Sequence, residues 1–146
     1  DIRIRWILGV CVIVVLLHIF NRDCEGIHLT DQKRTMEKLA QTYFDVWNKH
    51  DVKGLEELFA PTVTLRDWDI EKSGAAEVAA ANGNIFEGVP NIKIEVIKLY
   101  PSTSGNVVCC EILVKLNDEA GTVLKVVDVL EFDADGKILA VRAYKG

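Results

Sequence analysis

The chain has 146 residues, of which 49% are hydrophobic and 27% are charged. This balance suits one globular domain with a real core plus an additional segment. The formal net charge is -5 at pH 7, and such an acidic surface argues against nucleic acid as a partner. Of the 4 cysteines, Cys109 and Cys110 are adjacent on a predicted strand, and the 3 histidines are dispersed, so neither has the spacing of a disulfide framework or a metal site. We therefore expect neither a metal nor a cofactor.

The first segment is an apolar run from Trp6 to Phe20 that follows Arg3 and Arg5. It is shorter than the roughly 20 residues that cross a bilayer comfortably. A single N-terminal membrane anchor is the favoured interpretation, and a cleaved signal peptide and a buried helix are the alternatives. The two arginines place the following domain on the non-cytoplasmic side, or outside the cell if the segment is cleaved. We divide the chain into a leader, residues 1–27, and a domain, residues 28–146.

Helical periodicity begins after the leader. Thr30 or Asp31 can cap a first helix that continues to about His50. A second helix is predicted over residues 52–60, where Pro61 stops it, and a third over residues 75–86. The first helix carries a continuous apolar stripe at three- and four-residue intervals: Met36, Leu39, Ala40, Tyr43, Val46 and Trp47.

Strand periodicity begins at residue 61 and dominates the chain after residue 89. Residues 61–69 alternate, so that Val63, Leu65 and Asp67 share one face. Three helices followed by an antiparallel meander predict an α+β domain rather than a parallel α/β one. The four later strands are predicted over residues 91–100, 106–116, 122–132 and 138–144, separated by turns at residues 102–105, 117–121 and 133–136.

Three polar side chains fall on otherwise apolar faces. Asp128 shares a strand face with Leu124, Val126, Leu130 and Phe132. An isolated buried carboxylate is costly, so Asp128 must find a partner or become neutral through a raised pKa. The simpler alternative is that it is exposed or capped by a backbone amide. Asp67 and Tyr43 are the other two polar groups, one on a strand face and one on the helix stripe.

Three segments carry a resemblance to a known superfamily: YFDVWNKHDVKGLEELFAP, VTLRDWDIEKSG and VVDVLEFDADGKILAVRAY. From about residue 31 to residue 146 the chain resembles the SnoaL-like and ketosteroid-isomerase-like branch of the NTF2-like superfamily. The resemblance implies a cone in which three N-terminal helices pack on a curved antiparallel sheet. In this chain an apolar N-terminal helix would precede the cone.

The resemblance also implies site residues. Tyr43 stands where the isomerases have their oxyanion-hole tyrosine, Asp67 where they have the proton-shuttling aspartate, and Asp128 where they have a protonated aspartate that donates to the oxyanion. These are the three polar positions that periodicity had placed on apolar faces. The remaining pocket candidates are Trp47, Phe59, Trp68, Asn82, Phe86 and Phe132.

The function implied is that of a small-molecule pocket protein. It would be a cofactor-independent isomerase or a polyketide-cyclase-like enzyme acting on a small, apolar carbonyl compound. The run Asp67-Trp68-Asp69 departs from the isomerases, which usually place a proline after the base, and is closer to SnoaL-like proteins. The alternatives are a non-catalytic ligand-binding module and an accessory subunit anchored to a membrane assembly. The resemblance further implies a homodimer formed through the sheet.

The leader generates a prediction on fractionation. Because residues 6–20 are almost uninterrupted apolar side chains behind two arginines, the intact chain should be recovered in the membrane fraction. Cell fractionation followed by detection of the full-length chain measures this. Recovery of the full-length protein in the soluble fraction without detergent would contradict the anchor.

Overall fold

The computed structural model describes residues 26–146. The apolar run of the leader, its role as an anchor and the helix expected there lie outside the described residues. Within residues 26–146, none of the helices combines the length and the apolar character that a membrane span requires.

Three helices precede the meander, as predicted, but their first and last residues differ from the predicted ones. Helix α1 covers residues 26–48, helix α2 Val52–Leu58 and helix α3 Ala75–Gly88. Residue 26 is already helical, so Thr30 and Asp31 do not cap α1. The Thr30 hydroxyl instead donates to the Gly26 carbonyl at 2.8 Å, which is the back-bonding that threonine makes inside a helix.

The second helix is shorter than predicted. Asp51 caps it by accepting a hydrogen bond from the Gly54 amide at 2.9 Å. It ends at Leu58 because Phe59 and Ala60 are extended, and Ala60 precedes a proline, which disfavours helical backbone. Pro61 therefore lies inside the first strand instead of terminating the helix.

Six strands form one curved, mixed sheet in the order β2-β1-β6-β5-β4-β3. The last four strands pair antiparallel, as predicted. Two features were not expected: β1 pairs parallel with β6, and the short β2 pairs with β1. All three residues of β2 are exposed, so no apolar alternation in the sequence signals this strand. The strands are β1 Phe59–Arg66, β2 Glu71–Ser73, β3 Lys93–Pro101, β4 Val107–Lys115, β5 Val123–Phe132 and β6 Ile138–Lys145.

The helices cover one face of the sheet, and the core lies between the helices and that face. Val108, Cys110 and Ile112 of β4 are buried, as are Val126 and Leu130 of β5, because alternate strand residues point to the same face. Asp128 lies in the same β5 row and is buried with them. The alternation predicted for β5 is confirmed, and β4 alternates in the same way.

Two polar contacts fix the helix layer over this face. At the end of α1, the Asn48 carboxamide bonds both the carbonyl and the amide of Ile94, at 2.7 Å each, and so mimics a neighbouring strand. The indole of Trp47, the preceding residue, donates to Asn82 of α3 at 2.9 Å. These contacts tie α1 to β3 and to α3, and they enclose the space between the helices and the sheet.

Candidate active-site pocket

A pocket of about 230 Å³ opens between the helix layer and the inner face of the sheet. Its wall is mostly apolar, with a few polar groups, which is the usual character of a small-molecule site. The lining side chains come from α1, α3, the turn after β1 and the inner faces of the strands: Tyr43, Trp47, Leu65, Asp67, Trp68, Asp69, Ile70, Asn82, Ile85, Ile92, Ile94, Ile112, Val114, Leu124, Val126, Asp128, Val141 and Ala143.

Tyr43, Asp67 and Asp128 all line this one pocket. Tyr43 is 3% exposed and Asp128 is 6% exposed, whereas Asp67 is half-buried at the end of β1. Three elements that are far apart in the chain therefore bring the three polar side chains to one cavity. Helix α1 supplies the tyrosine, the turn after β1 supplies one carboxyl, and the middle of β5 supplies the other.

The resemblance makes Tyr43 and Asp128 two donors to one oxyanion and so predicts that they lie within direct hydrogen-bond reach of each other, but no such hydrogen bond is formed. Within residues 26–146, charge and burial perturb these two groups, but no hydrogen bond joins them. In that same part of the chain, no fully enclosed side-chain nitrogen or oxygen lacks a partner. The unpartnered oxygens of Tyr43 and Asp128 therefore reach the surface of the cavity.

Burial raises the pKa of Asp128 from 3.8 to about 7, and the nearby Asp67 carboxylate adds to the shift. Desolvation is the larger cause because a charged carboxylate loses its hydration among the apolar side chains of β5. Below about pH 7 the Asp128 carboxyl is therefore neutral. It carries a proton that it can donate into the pocket.

Tyr43 has a similar environment. Its ring packs edge-on against Phe44, with ring centroids 5.1 Å apart, and against Phe59 at 6.4 Å. Burial first, and then the neighbouring Asp128 and Cys110, raise the pKa of the Tyr43 hydroxyl well above 10.0. Cys110 lies directly opposite Asp128 across β4 and β5, and burial also raises the pKa of its thiol. Tyr43 thus remains a neutral hydrogen-bond donor.

Asp67 is held by the backbone of its own turn. Its Oδ1 accepts hydrogen bonds from the amides of Asp69 at 2.7 Å and Ile70 at 2.6 Å, while its own amide donates to the Ile70 carbonyl at 2.9 Å. This Asx-type turn fixes the carboxylate. It leaves Oδ2 without a hydrogen-bond partner among residues 26–146.

Trp47, Trp68 and Asn82 also line the pocket. The Asn82 carboxamide is occupied, since it accepts from Trp47 and donates to the Val78 carbonyl at 2.9 Å. Trp68 is 42% exposed and lies at the mouth. The Lys145 ammonium is 5.2 Å from the centre of its ring.

The other three pocket candidates lie elsewhere. Phe59, Phe86 and Phe132 are buried in the core and do not line the cavity. Phe59 packs behind the Tyr43 ring at 6.4 Å. Phe86 stacks on His50, with ring centroids 4.3 Å apart and an angle of 6° between the ring planes. All three rings were expected in the pocket wall, but they pack in the core, where Phe59 and Phe86 contact other aromatic rings.

The sequence interpretation missed Asp69 and Ile70 as wall residues, although both line the pocket. It continued the first strand to Asp69, whereas the chain leaves the strand after Arg66 and turns. The signal was present in Asp67, whose side chain favours such a turn. Within residues 26–146, no three His, Cys, Asp or Glu side chains come together as metal ligands would.

The sequence matches the SnoaL-like domain family over residues 40–141, more than half of the chain, and the chain therefore belongs to that family. No curated protein matches the sequence.

Several solved structures share the fold. A protein of unknown function with a cystatin-like fold from Methylobium petroleophilum has a TM-score of 0.69 and 23% identity, over 78% of this chain and 77% of that chain. SalBIII, an epoxide hydrolase/cyclase-like enzyme of pyran ring formation in salinomycin, has a TM-score of 0.63 and 21% identity, over 77% of this chain and 92% of that chain. A Mycobacterium tuberculosis protein in complex with estradiol-17β-hemisuccinate has a TM-score of 0.62 and 16% identity, over 73% of this chain and 89% of that chain. At these identities the likeness shows the fold alone, and together with the family match it confirms the resemblance seen in the sequence.

The raised pKa of Asp128 predicts how stability depends on pH. Between about pH 4 and pH 7 the carboxyl is protonated in the folded chain and ionised in the unfolded chain. Folding therefore takes up a proton, and the free energy of unfolding should fall by about 1.4 kcal/mol for each pH unit that the pH rises through this window. Asp128→Asn removes the titrating group and should remove this part of the slope.

Urea unfolding at several pH values between 4 and 7 measures the difference between parent and variant. Asp135→Asn is the matched control, because it removes an exposed carboxyl from the turn that follows the same strand. Parallel pH profiles for the parent and Asp128→Asn would show that the folded Asp128 carboxyl titrates as it does in the unfolded chain.

Proposed function

We propose that this protein catalyses proton transfer on a small, mostly apolar carbonyl compound, without a cofactor, as an isomerase or a cyclase. The observation that carries the proposal is the pair of unpartnered donors, Tyr43 and Asp128, at the buried end of an apolar cavity whose mouth holds a third polar group, Asp67. Enolisation needs a base near the α-carbon and donors at the oxygen where negative charge develops.

The donors suit an oxyanion. Tyr43 and Asp128 are both neutral at pH below about 7, and both direct a proton-bearing oxygen into an apolar space. Hydrogen bonds to a developing charge are strongest where water is excluded. Ketosteroid isomerase builds its oxyanion hole from a tyrosine and a protonated aspartate, so the arrangement has chemical precedent.

Asp67 suits a base. The two backbone amides on its Oδ1 hold the carboxylate in one orientation, and Oδ2 has no partner within the described residues. In the proposed step, Oδ2 removes a proton from the carbon next to the carbonyl. The C–H electron pair forms the enolate double bond, and the carbonyl π pair moves to the oxygen, which accepts hydrogen bonds from Tyr43 and Asp128. Return of the proton to another carbon completes an isomerisation.

The experiment is substitution of the base. Asp67→Asn should abolish exchange of the α-proton of a bound enone or β-dicarbonyl compound with deuterated solvent, while the fold stays intact. The asparagine oxygen can still accept both turn amides, so the turn should survive. Proton NMR measures the exchange rate, and circular dichroism measures the fold.

Glu71→Gln is the matched control, since it neutralises an exposed carboxyl close to the turn but outside the pocket lining. It should exchange at the parent rate. If the Asp67→Asn variant exchanges the α-proton as fast as the parent protein, Asp67 is not the base.

A ligand-binding protein without chemistry is the second candidate. The observation in its favour is the same turn, because two backbone hydrogen bonds give Asp67 a structural role that needs no catalysis. In that case the compound binds, but neither the parent nor Asp67→Asn exchanges its α-proton. A pocket filled by side chains would favour an accessory subunit with a vestigial site. The cavity here is open instead.

We also propose a homodimer formed through the outer face of the sheet. Ile97, Tyr100, Val127 and Tyr144 are each 41–49% exposed on that face, and they line a shallow groove of about 820 Å³. Exposed apolar groups that lie together mark an interaction surface more often than scattered ones do.

Val127→Glu should convert such a dimer to a monomer, because two copies of the new carboxylate would be buried facing each other. Analytical ultracentrifugation at micromolar concentration measures the mass. Leu29→Glu is the control, since it places the same charge at an exposed apolar residue of α1. A parent protein that sediments as a monomer would contradict the dimer.

A further inference from the structure

The charge of the pocket wall is entirely negative. Its lining contains the carboxyl groups of Asp67, Asp69 and Asp128, and it contains no lysine, arginine or histidine side chain among the described residues. The carboxylates of Asp67 and Asp69 repel an anionic substituent at the mouth of the pocket, and the low-dielectric surroundings strengthen the effect.

The charge is also graded along the pocket. At the buried end, Asp128 and Tyr43 present neutral donors. At the mouth, Asp69 is exposed, and its carboxylate forms no hydrogen bond or ion pair with any residue from 26 to 146. The face of an indole ring, here that of Trp68, attracts cations. A ligand therefore meets donors for its oxygen inside and attraction for a positive charge outside.

Lys145 offsets only part of the negative charge of this mouth, since one ammonium lies beside the two carboxylates of Asp67 and Asp69 without pairing with either. Its ammonium lies 5.2 Å from the centre of the Trp68 ring, but Lys145 lines the outer groove of the sheet and not the pocket. No ion pair within residues 26–146 joins it to Asp67 or Asp69.

The volume limits the size of the ligand. A cavity of about 150 Å³ holds one benzene molecule, and this pocket of about 230 Å³ is roughly half as large again. It suits one or two fused rings. It is also smaller than the roughly 300–1,000 Å³ typical of sites for drug-sized ligands.

We infer that the pocket takes a compact ketone or enone of one or two rings, with its carbonyl oxygen at the Tyr43–Asp128 end, and that any charged substituent is a cationic amine at the Trp68–Asp69 mouth. This inference rests on the proposed function, because it assigns the substrate class of the same site. It predicts weaker binding of carboxylate-bearing ligands, and weaker binding of ligands with four fused rings, part of which would lie outside the cavity.

Matched probes on one scaffold test the inference. The probes are α-tetralone, its aminomethyl derivative and its carboxyl derivative, with the substituent on the ring remote from the ketone, together with progesterone as a four-ring enone. Isothermal titration calorimetry at pH 6.5 measures each dissociation constant. The ammonium probe should bind roughly tenfold or more tightly than the carboxylate probe, and α-tetralone should bind more tightly than progesterone.

Asp69→Asn should reduce the preference for the ammonium probe over the carboxylate probe, because it removes one charge from the mouth. Glu119→Gln is the matched control: it makes the same change in net charge at an exposed residue outside the lining, and it should leave the preference unchanged. Equal binding of the two charged probes, tighter binding of progesterone, or equal effects of the two variants would each overturn the inference.

The outcome separates this inference from the proposed function. If the order of affinities holds but α-tetralone exchanges no α-proton, the substrate class stands and the catalytic proposal falls. If α-proton exchange occurs but the order of affinities is reversed, the catalytic proposal stands and the substrate class falls.

Discussion

The structure depends on one constraint, which is the burial of the Asp128 carboxyl in the middle of an apolar strand face. The row that contains it, with Val126 and Leu130 as neighbours, packs under the helix layer. A carboxylate without a partner cannot remain charged at that position, and the folded chain keeps it neutral up to about pH 7. The same burial that costs stability when the group ionises supplies a proton donor inside the cavity.

The helix layer keeps the cavity open above this row. The Asn48 carboxamide bonds both the amide and the carbonyl of Ile94, and the Trp47 indole donates to Asn82. Buried polar groups with satisfied hydrogen bonds define one arrangement of the elements they join. Because α1 is held by these bonds at its C-terminal end, Tyr43 faces β5 across a gap instead of collapsing onto Asp128.

The turn after β1 gives Asp67 two functions at once. Its Oδ1 accepts the amides of Asp69 and Ile70 and so stabilises the turn, while the carboxylate charge raises the pKa of Asp128 further. The two carboxyl groups lie in different surroundings, one held by backbone amides at the mouth and one desolvated inside. Such a difference in surroundings is what separates base and acid roles in sites with paired carboxylates. The resulting gradient, from neutral donors inside to charge at the mouth, also governs which ligands the pocket can admit.

The sequence by itself determined the α+β order of elements, the antiparallel meander and the face on which each of Tyr43, Asp67 and Asp128 lies. It could do so because helical and strand periodicity report directly which side of an element is buried. Only the tertiary structure decided which of those groups meet. The parallel pairing of β1 with β6 and the turn that carries Asp69 depend on contacts between distant segments. Phe86 illustrates the limit: the sequence marks it as a candidate for the pocket wall, but its ring stacks on His50 in the core, and this contact exists only after the helices have packed.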